Sequence, residues 1–592
     1  MSSTHKHGRQ EWPIIWGMGF ASFFCAWIAL AYWGWNYHNS FAPVSSFVEF
    51  LHPVITAMRE YVLQGKTDSL VISLQYAINN DQLPDVLLHI ALPALPAAFA
   101  GYFMAKAIYI EGGLDGFIHI SGPRLLVGKT AIRHAKAQFK NNKSKKGLQL
   151  HPDIYLPKHE ENGNILVVGN HGTGKSALLT PLFNQVIERQ QPAFIFDYKS
   201  EFTALFYHLD KTLLVSVTDA RNTPWNIAAD VTTEQRANKI ASQLIPEMGK
   251  DPIWEKGSQL ILTGMMMTLI NQDRPWGWQE LASLLTIEVD QLKDILGEHF
   301  PLAKDFVQNQ ESKTTQSFMV TLKTHLGWII PLAQAWPKAH ENGFSVMDWV
   351  QNSSQQKPIL IVQHSEEFST IAAPLANAMI QLMYTGLRSL HNDTEREIWL
   401  LIDELGHLPR CSTLESWLST GRSYGARTII GTQTLSKVLD IYGENLTHSI
   451  FDLFEILLVL RLSGSTTADY IVRRFGERKV KPRQSSSEAT NTGEQTLPLI
   501  TTSDLIHLPK PRAFHKRPIH AFMLLQGWQA VYKLTFPFAK LQPQAQEHIP
   551  AAWLSQPPAM LTPTLAEPEA TPQAVINPLA VLGAAHVDHS PD

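Results

Sequence analysis

Cysteine is almost absent: Cys25 and Cys411 are the only two in 592 residues. One falls in an apolar run near the start and the other deep in the chain. A disulfide framework and a cysteine-built zinc site are therefore excluded. A charge excess is missing too. Forty-nine Lys and Arg stand against 53 Asp and Glu, for a formal net charge of -4. Attraction to nucleic acid through a global basic field is thereby excluded, and any such contact needs a local patch. The hydrophobic fraction of 44% is ordinary for a globular protein, so a membrane part would be short. Lys and Arg disappear after Lys540, where Pro, Ala and Gln take over. That composition cannot bury enough apolar surface to offset ordering entropy, and it predicts a disordered tail over 541–592.

What is present begins with a charge-free stretch, 12–33, WPIIWGMGFASFFCAWIALAYW. At 1.5 Å per residue it is about 33 Å long, enough to cross a bilayer core. Trp12, Trp16, Trp33 and Trp35 flank it at interfacial depth. A second apolar stretch covers about 86–110, with Pro93 and Pro96 inside it and Lys106 near its far end. Lys6 and Arg9 precede the first stretch. Arg124, Lys129, Arg133, Lys136 and Lys140 follow the second. The loop 34–85 carries only Arg59 and Lys66 against five acids. The positive-inside rule then predicts a two-helix membrane anchor, with loop 34–85 outside and most of the chain in the cytoplasm. A lipid bilayer is thus an expected partner.

An apolar strand at 164–168, NILVV, leads directly into GNHGTGKS and then a helix at 177–188. This is the phosphate-binding loop in the strand–loop–helix setting it requires. Gly169, Asn170, His171, Gly172, Thr173, Gly174, Lys175, Ser176 and Ala177 are assigned to nucleotide binding. The glycines let backbone N–H groups close on phosphates at a helix N-terminus. Lys175 reaches the β- and γ-phosphates, and Ser176 ligates Mg²⁺. Far downstream, IWLLI at 398–402 ends in Asp403 and Glu404. Asp403 is assigned to the metal and Glu404 to the water-polarising base. ATP and Mg²⁺ are the expected cofactors.

Further strand-like runs lie at 193–196, 213–217, 358–362, 428–431 and 455–460, with helical segments between several of them. The pattern predicts an α/β fold with a mainly parallel sheet, its ligands at the carboxyl ends of the strands. Lys175, Asp403 and Gln433 then share one edge. Gln433 is assigned to sensing the γ-phosphate. Arg422 is the first candidate, and Arg461 the second, for an arginine that reaches a neighbouring subunit's site. Taken alone, each is more often a surface or salt-bridge arginine.

The ordered motifs resemble the type IV coupling proteins, the TraD/TraG group of conjugation ATPases. They are GNHGTGKS at 169–176, FDYKSEF at 196–202, TPWNI at 223–227, DELGHLPR at 403–410, GRSYGARTIIGTQT at 421–434, DIYG at 440–443 and FGER at 475–478. The resemblance implies a RecA-like P-loop NTPase motor domain, an inserted all-α domain and a hexameric ring. It implies single-stranded DNA, relaxase and relaxosome proteins, and the ATPases and inner-membrane components of a type IV secretion channel as partners. By position, Arg422 matches the family's inter-subunit arginine. Ser200 stands where the family commonly has glycine.

The implied domains are an anchor at 1–112, a motor domain in two parts at 113–275 and 338–540, and an all-α domain at 276–337. Leu281, Leu284, Leu285, Leu292, Ile295 and Leu296 recur there at helical spacing, and Lys313 and Lys323 are candidate DNA contacts. Two other readings stay open. One is an FtsK-type translocase of duplex DNA. The other is an ATP-switched docking receptor for secreted effectors.

Overall fold

The computed structural model describes residues 12–38, 79, 91–108, 117–247, 252–352, 356–482, 494–511, 518–538 and 541–555. The described residues fall into two units, one drawn from 1–123 and 476–499, the other from 124–475 and 500–555.

The first unit holds two helices, Trp12–His38 and Ala94–Ile108. They pack closely at Gly101, where an added Cβ would lie 2.8 Å from the Gly19 carbonyl oxygen. Among the described residues, no helix is long and apolar enough to cross a membrane. The second helix is shorter than the 86–110 stretch. Its 15 residues span about 22 Å, against about 30 Å of hydrocarbon core. It starts at Ala94, so Pro96 falls in the first turn, where no intrahelical N–H is needed. The predicted outer loop, 34–85, lies outside the described residues apart from 34–38 and 79. The same unit contains an antiparallel sheet of β1 (Phe117–Ser121), β12 (Glu477–Pro482) and β13 (Gln495–Pro498), in the order β1-β12-β13.

The second unit is built on ten strands. They are β2 (Arg124–Val127), β5 (Ile165–Val168), β6 (Ala193–Asp197), β7 (Thr212–Val215), β8 (Ile359–Gln363), β9 (Ile398–Ile402), β10 (Ala426–Thr432), β11 (Ile456–Val459), β14 (Ile519–Leu525) and β15 (Ala530–Phe536). Their order is β2-β15-β14-β11-β5-β10-β9-β6-β8-β7. From β11 to β7 every pairing is parallel. Strand β14 runs antiparallel to both of its neighbours. Strands β5, β6, β8 and β9 are buried along their whole length, which is why they read as unbroken apolar runs. A separate hairpin joins β3 (Lys146–His151) and β4 (Ile154–Pro157).

Between β7 and β8 the described chain is helical, from Ile227–Asp230 through Ile253–Asn271 and Lys313–Leu326 to Val346–Gln351. Helical structure thus extends on both sides of 276–337. Leu281, Leu284, Leu285, Leu292 and Leu296 are buried in it, and Lys313 and Lys323 are exposed. The TPWNI motif anchors this stretch. Trp225 donates from Nε1 to Asp230 Oδ2 at 2.7 Å, and its carbonyl accepts from Trp278 Nε1 at 2.9 Å. Asp230 in turn accepts from the Val346 and Met347 amides, at 2.8 and 2.9 Å.

Residues 541–555 depart from the predicted disorder. The amides of Gln544 and Ala545 donate to the Ala204 carbonyl, and Ala551 N donates to Thr218 O at 2.8 Å. Trp553 Nε1 donates to Val217 O at 2.6 Å. The segment has little core of its own but borrows backbone partners beside β7, which composition cannot reveal. Residues 556–592 lie outside the described residues.

Candidate nucleotide-binding site

The loop after β5 is held by the strands on either side. Gly169 N donates to Thr432 O at the end of β10 (3.1 Å), and Asn170 N donates to Arg461 O just past β11 (3.2 Å). Thr173 folds the loop back, its N and Oγ1 donating to Asn170 O at 3.2 and 2.6 Å. Gly174 takes φ +98°, a conformation that L side chains rarely adopt, and the helix Lys175–Glu188 begins directly after it. His171 and Gly172 form the exposed tip, Ser176 is in the helix's first turn, and Ala177 packs on the core.

Lys175 is buried and reaches across β10 to the end of β9. Its Nζ donates to the Asp403 carbonyl at 2.6 Å and to Glu404 Oε2 at 2.8 Å, and it lies 3.6 Å from Asp403 Oδ1. Glu404 Oε1 accepts from the Gln433 amide at 3.0 Å, so Gln433 contacts that carboxylate through its backbone. Gly431 permits this approach: a Cβ there would lie 2.2 Å from the Asp403 carbonyl oxygen. Lys175, Asp403, Glu404 and Gln433 therefore meet at one sheet edge.

The residues fit a magnesium nucleotide. Asp403 is 1% exposed, yet among the described residues neither of its carboxylate oxygens accepts a hydrogen bond. A buried carboxylate without donors is costly unless a cation or its water shell satisfies it. Beside that carboxylate stand a buried lysine and a glycine-kinked loop at a helix N-terminus, the chemistry a triphosphate requires.

Asp197, at the end of β6, was not singled out as a site residue. Its Oδ2 accepts from Thr203 N and Oγ1, at 2.6 and 2.8 Å, while Oδ1 has no hydrogen-bond partner among the described residues. Burial pushes its carboxyl up to about 6, opposed by the Thr203 hydrogen bonds. The signal was in the sequence: AFIFD, like IWLLID, is an apolar strand ending in an acid. Just beyond it, Ser200 adopts φ +61°, so the left-handed turn where the family commonly has glycine is made by serine.

The two arginines sit at opposite edges. Arg461 follows β11 beside the phosphate loop. Arg422 precedes β10, at the amino edge. It pairs with Glu455 and donates to Asn162 Oδ1 at 3.1 Å, both of which also precede strands. Within one chain Arg422 is not part of the cluster around Lys175.

His407 follows Glu404 and faces Lys437, Glu404, His364 and Lys175. Burial, assisted by Lys437, pushes its imidazole down to about 4. A base depressed in the folded state stays neutral there while the unfolded chain takes up its proton. Stability is therefore lost as pH falls from about 6.5 towards 4. Thermal melts over that range should show the midpoint falling with acidification. His407→Phe should reduce the fall, and an unchanged slope would remove His407 as a contributor.

Residues 149–522 match the family model for the type IV secretion-system coupling protein DNA-binding domain. The chain belongs to the type IV coupling proteins. It is 24% identical over 491 residues to the coupling protein TraD of Escherichia coli strain K12, a match covering 80% of this chain and 66% of TraD. It is 26% identical over 161 residues to protein VirD4 of Agrobacterium fabrum, covering 27% of this chain and 23% of VirD4. The chain thus spans less than two thirds of either relative. Its fold is that of the bacterial conjugative coupling protein TrwBdeltaN70 in its unbound monoclinic form. The TM-score is 0.63 at 21% identity, covering 74% of this chain and 97% of that one. TrwB in complex with ADP and Mg²⁺ gives a TM-score of 0.60 at 20% identity, covering 73% and 98%.

Proposed function

We propose that this coupling protein is an ATP-hydrolysing motor of a bacterial inner membrane. It would pass single-stranded DNA, delivered by a relaxase complex, to a type IV secretion channel. The observation that carries the reading is the 2.8 Å contact between Lys175 Nζ and Glu404 Oε2, which joins loops 229 residues apart at one sheet edge. The family match supports the DNA and channel partners. TrwB, described in complex with ADP and Mg²⁺, supports the choice of cofactors. The charge-free 12–33 stretch supports the anchor.

On ATP binding, Lys175 would leave the two carboxylates for the β- and γ-phosphates. The loop amides up to Lys175 would face the same oxygens. Ser176 and Asp403 would hold Mg²⁺, which would neutralise phosphate charge. Glu404, oriented by the Gln433 amide, would polarise the attacking water. Gln433 would follow the γ-phosphate.

Steady-state ATP hydrolysis by the full chain in detergent or lipid should rise on adding single-stranded DNA. Hydrolysis without DNA stimulation would favour the docking receptor, and stronger stimulation by duplex DNA would favour the FtsK-type translocase.

The position of Arg422 at the amino edge, away from Lys175 within one chain, supports a role across the subunit boundary of a hexameric ring. Arg422→Ala should bind ATP and hydrolyse it about 10³-fold more slowly. Mixing Arg422→Ala with Lys175→Ala subunits should restore part of the activity. Absence of rescue, with mixed rings shown to form, would pass the role to Arg461.

A further inference from the structure

Three aromatic rings form a stack at the carboxyl edge of the sheet. Tyr198, directly after β6, lies face to face with His407 (centroids 3.5 Å apart, planes 13° apart) and with His364 (4.4 Å, 21°). The rings come from the loops after β9, β6 and β8, which are consecutive strands in the sheet. The backbone ladder stops just below them. Pairing of β6 with β9 ends at Phe196–Ile402, and pairing of β6 with β8 ends at Asp197–Gln363. Above that level, the rings bridge the three loops.

His407 closes the short 3₁₀ turn Leu405–His407, its amide donating to the Glu404 carbonyl at 3.1 Å. The far end of the stack is fixed as well: His364 is buried and its amide donates to Asp197 O at 3.0 Å. The Glu404 carboxylate is held by Lys175 on one oxygen and by the Gln433 amide on the other. A lysine engaged with phosphates no longer holds the first oxygen. The turn that carries Glu404 then depends on its remaining supports, and a face-to-face stack resists sideways displacement because offset rings lose contact area.

We propose that Tyr198, clamped between His364 and His407, is a positioning residue for hydrolysis: the stack keeps the Glu404 turn in register for attack and takes no part in gripping the nucleotide. The proposal rests on the reading of Glu404 as the water-polarising base. Misplacement of such a group by about an ångström costs up to about 10²-fold in rate without a matching loss of binding.

The test compares Tyr198→Leu, Tyr198→Phe, His407→Leu and His407→Phe with Glu404→Gln in the full chain. The readouts are steady-state ATP hydrolysis, binding of a fluorescent ATP analogue and thermal melting. Tyr198→Leu and His407→Leu should lower kcat about 10-fold or more, with KM and analogue affinity within about threefold of the parent. The two phenylalanine variants keep a ring at the same place and should recover kcat to within about threefold. Adding Tyr198→Leu to Glu404→Gln should cost nothing further, since the positioned group is already gone. Unchanged kcat in Tyr198→Leu would overturn the proposal, as would equal loss in Tyr198→Leu and Tyr198→Phe. Should Tyr198→Leu melt early, the His407 pair decides by the same criteria. Full hydrolysis by Glu404→Gln would instead overturn the base assignment.

Discussion

Replacing Lys175 with alanine is expected to abolish ATP turnover, by about 10³-fold or more, while the fold remains. Two physical effects combine. The positive group that would stabilise charge on the transferring phosphoryl is removed from a buried site, where electrostatic stabilisation is largest. The lysine is also the shared cation of two nearly inaccessible carboxylates, Asp403 and Glu404, at 3.6 and 2.8 Å. Deleting one member of a buried ion pair leaves uncompensated charge and costs about 3–5 kcal/mol. Lys175→Ala should therefore also melt earlier than the parent. Turnover and melting curves measured on one preparation check both effects. Wild-type turnover in this variant would remove the phosphate-loop assignment.

Glu404→Gln is expected to separate binding from chemistry. Glutamine keeps an acceptor for the Gln433 amide but loses the negative charge that polarises water. Hydrolysis should fall by about 10²–10⁴-fold. ATP affinity should hold or rise, because Lys175 no longer has to be drawn from a carboxylate 2.8 Å away. Single-turnover hydrolysis together with equilibrium binding reads the two quantities apart. Hydrolysis within threefold of the parent, or a parallel loss of binding, would count against Glu404 as the base.

Much of the sheet was legible in the sequence because burial on both faces makes its central strands continuous apolar runs. IWLLI at 398–402 coincides with β9, and AFIF at 193–196 with all but the last residue of β6. The hairpin β14–β15 was not legible in the sequence. Its strands lie near the end of the parallel series, and β15 mixes Lys533 and Thr535 into its apolar pattern. Helical structure beyond 276–337 was not legible, because Pro275 and Pro337 flank that segment and proline interrupts a helix locally. Chain turns there without leaving the helical stretch. The His364–Tyr198–His407 stack joins residues far apart in the chain, and spacing carries no trace of it.

The sequence by itself determined the local chemistry: a strand, a glycine-kinked loop and a helix in direct succession, and an apolar strand ending in two acids. Those features depend on neighbours along the chain, so composition and order suffice to specify them. Which distant segments meet was decided only by the tertiary structure. The strand order places β9 one strand beyond β10, within reach of the lysine after β5. The same order puts Arg461 at the phosphate-loop edge and Arg422 at the opposite one. Strand direction fixes which end of a strand a residue occupies, and that is a property of the assembled sheet.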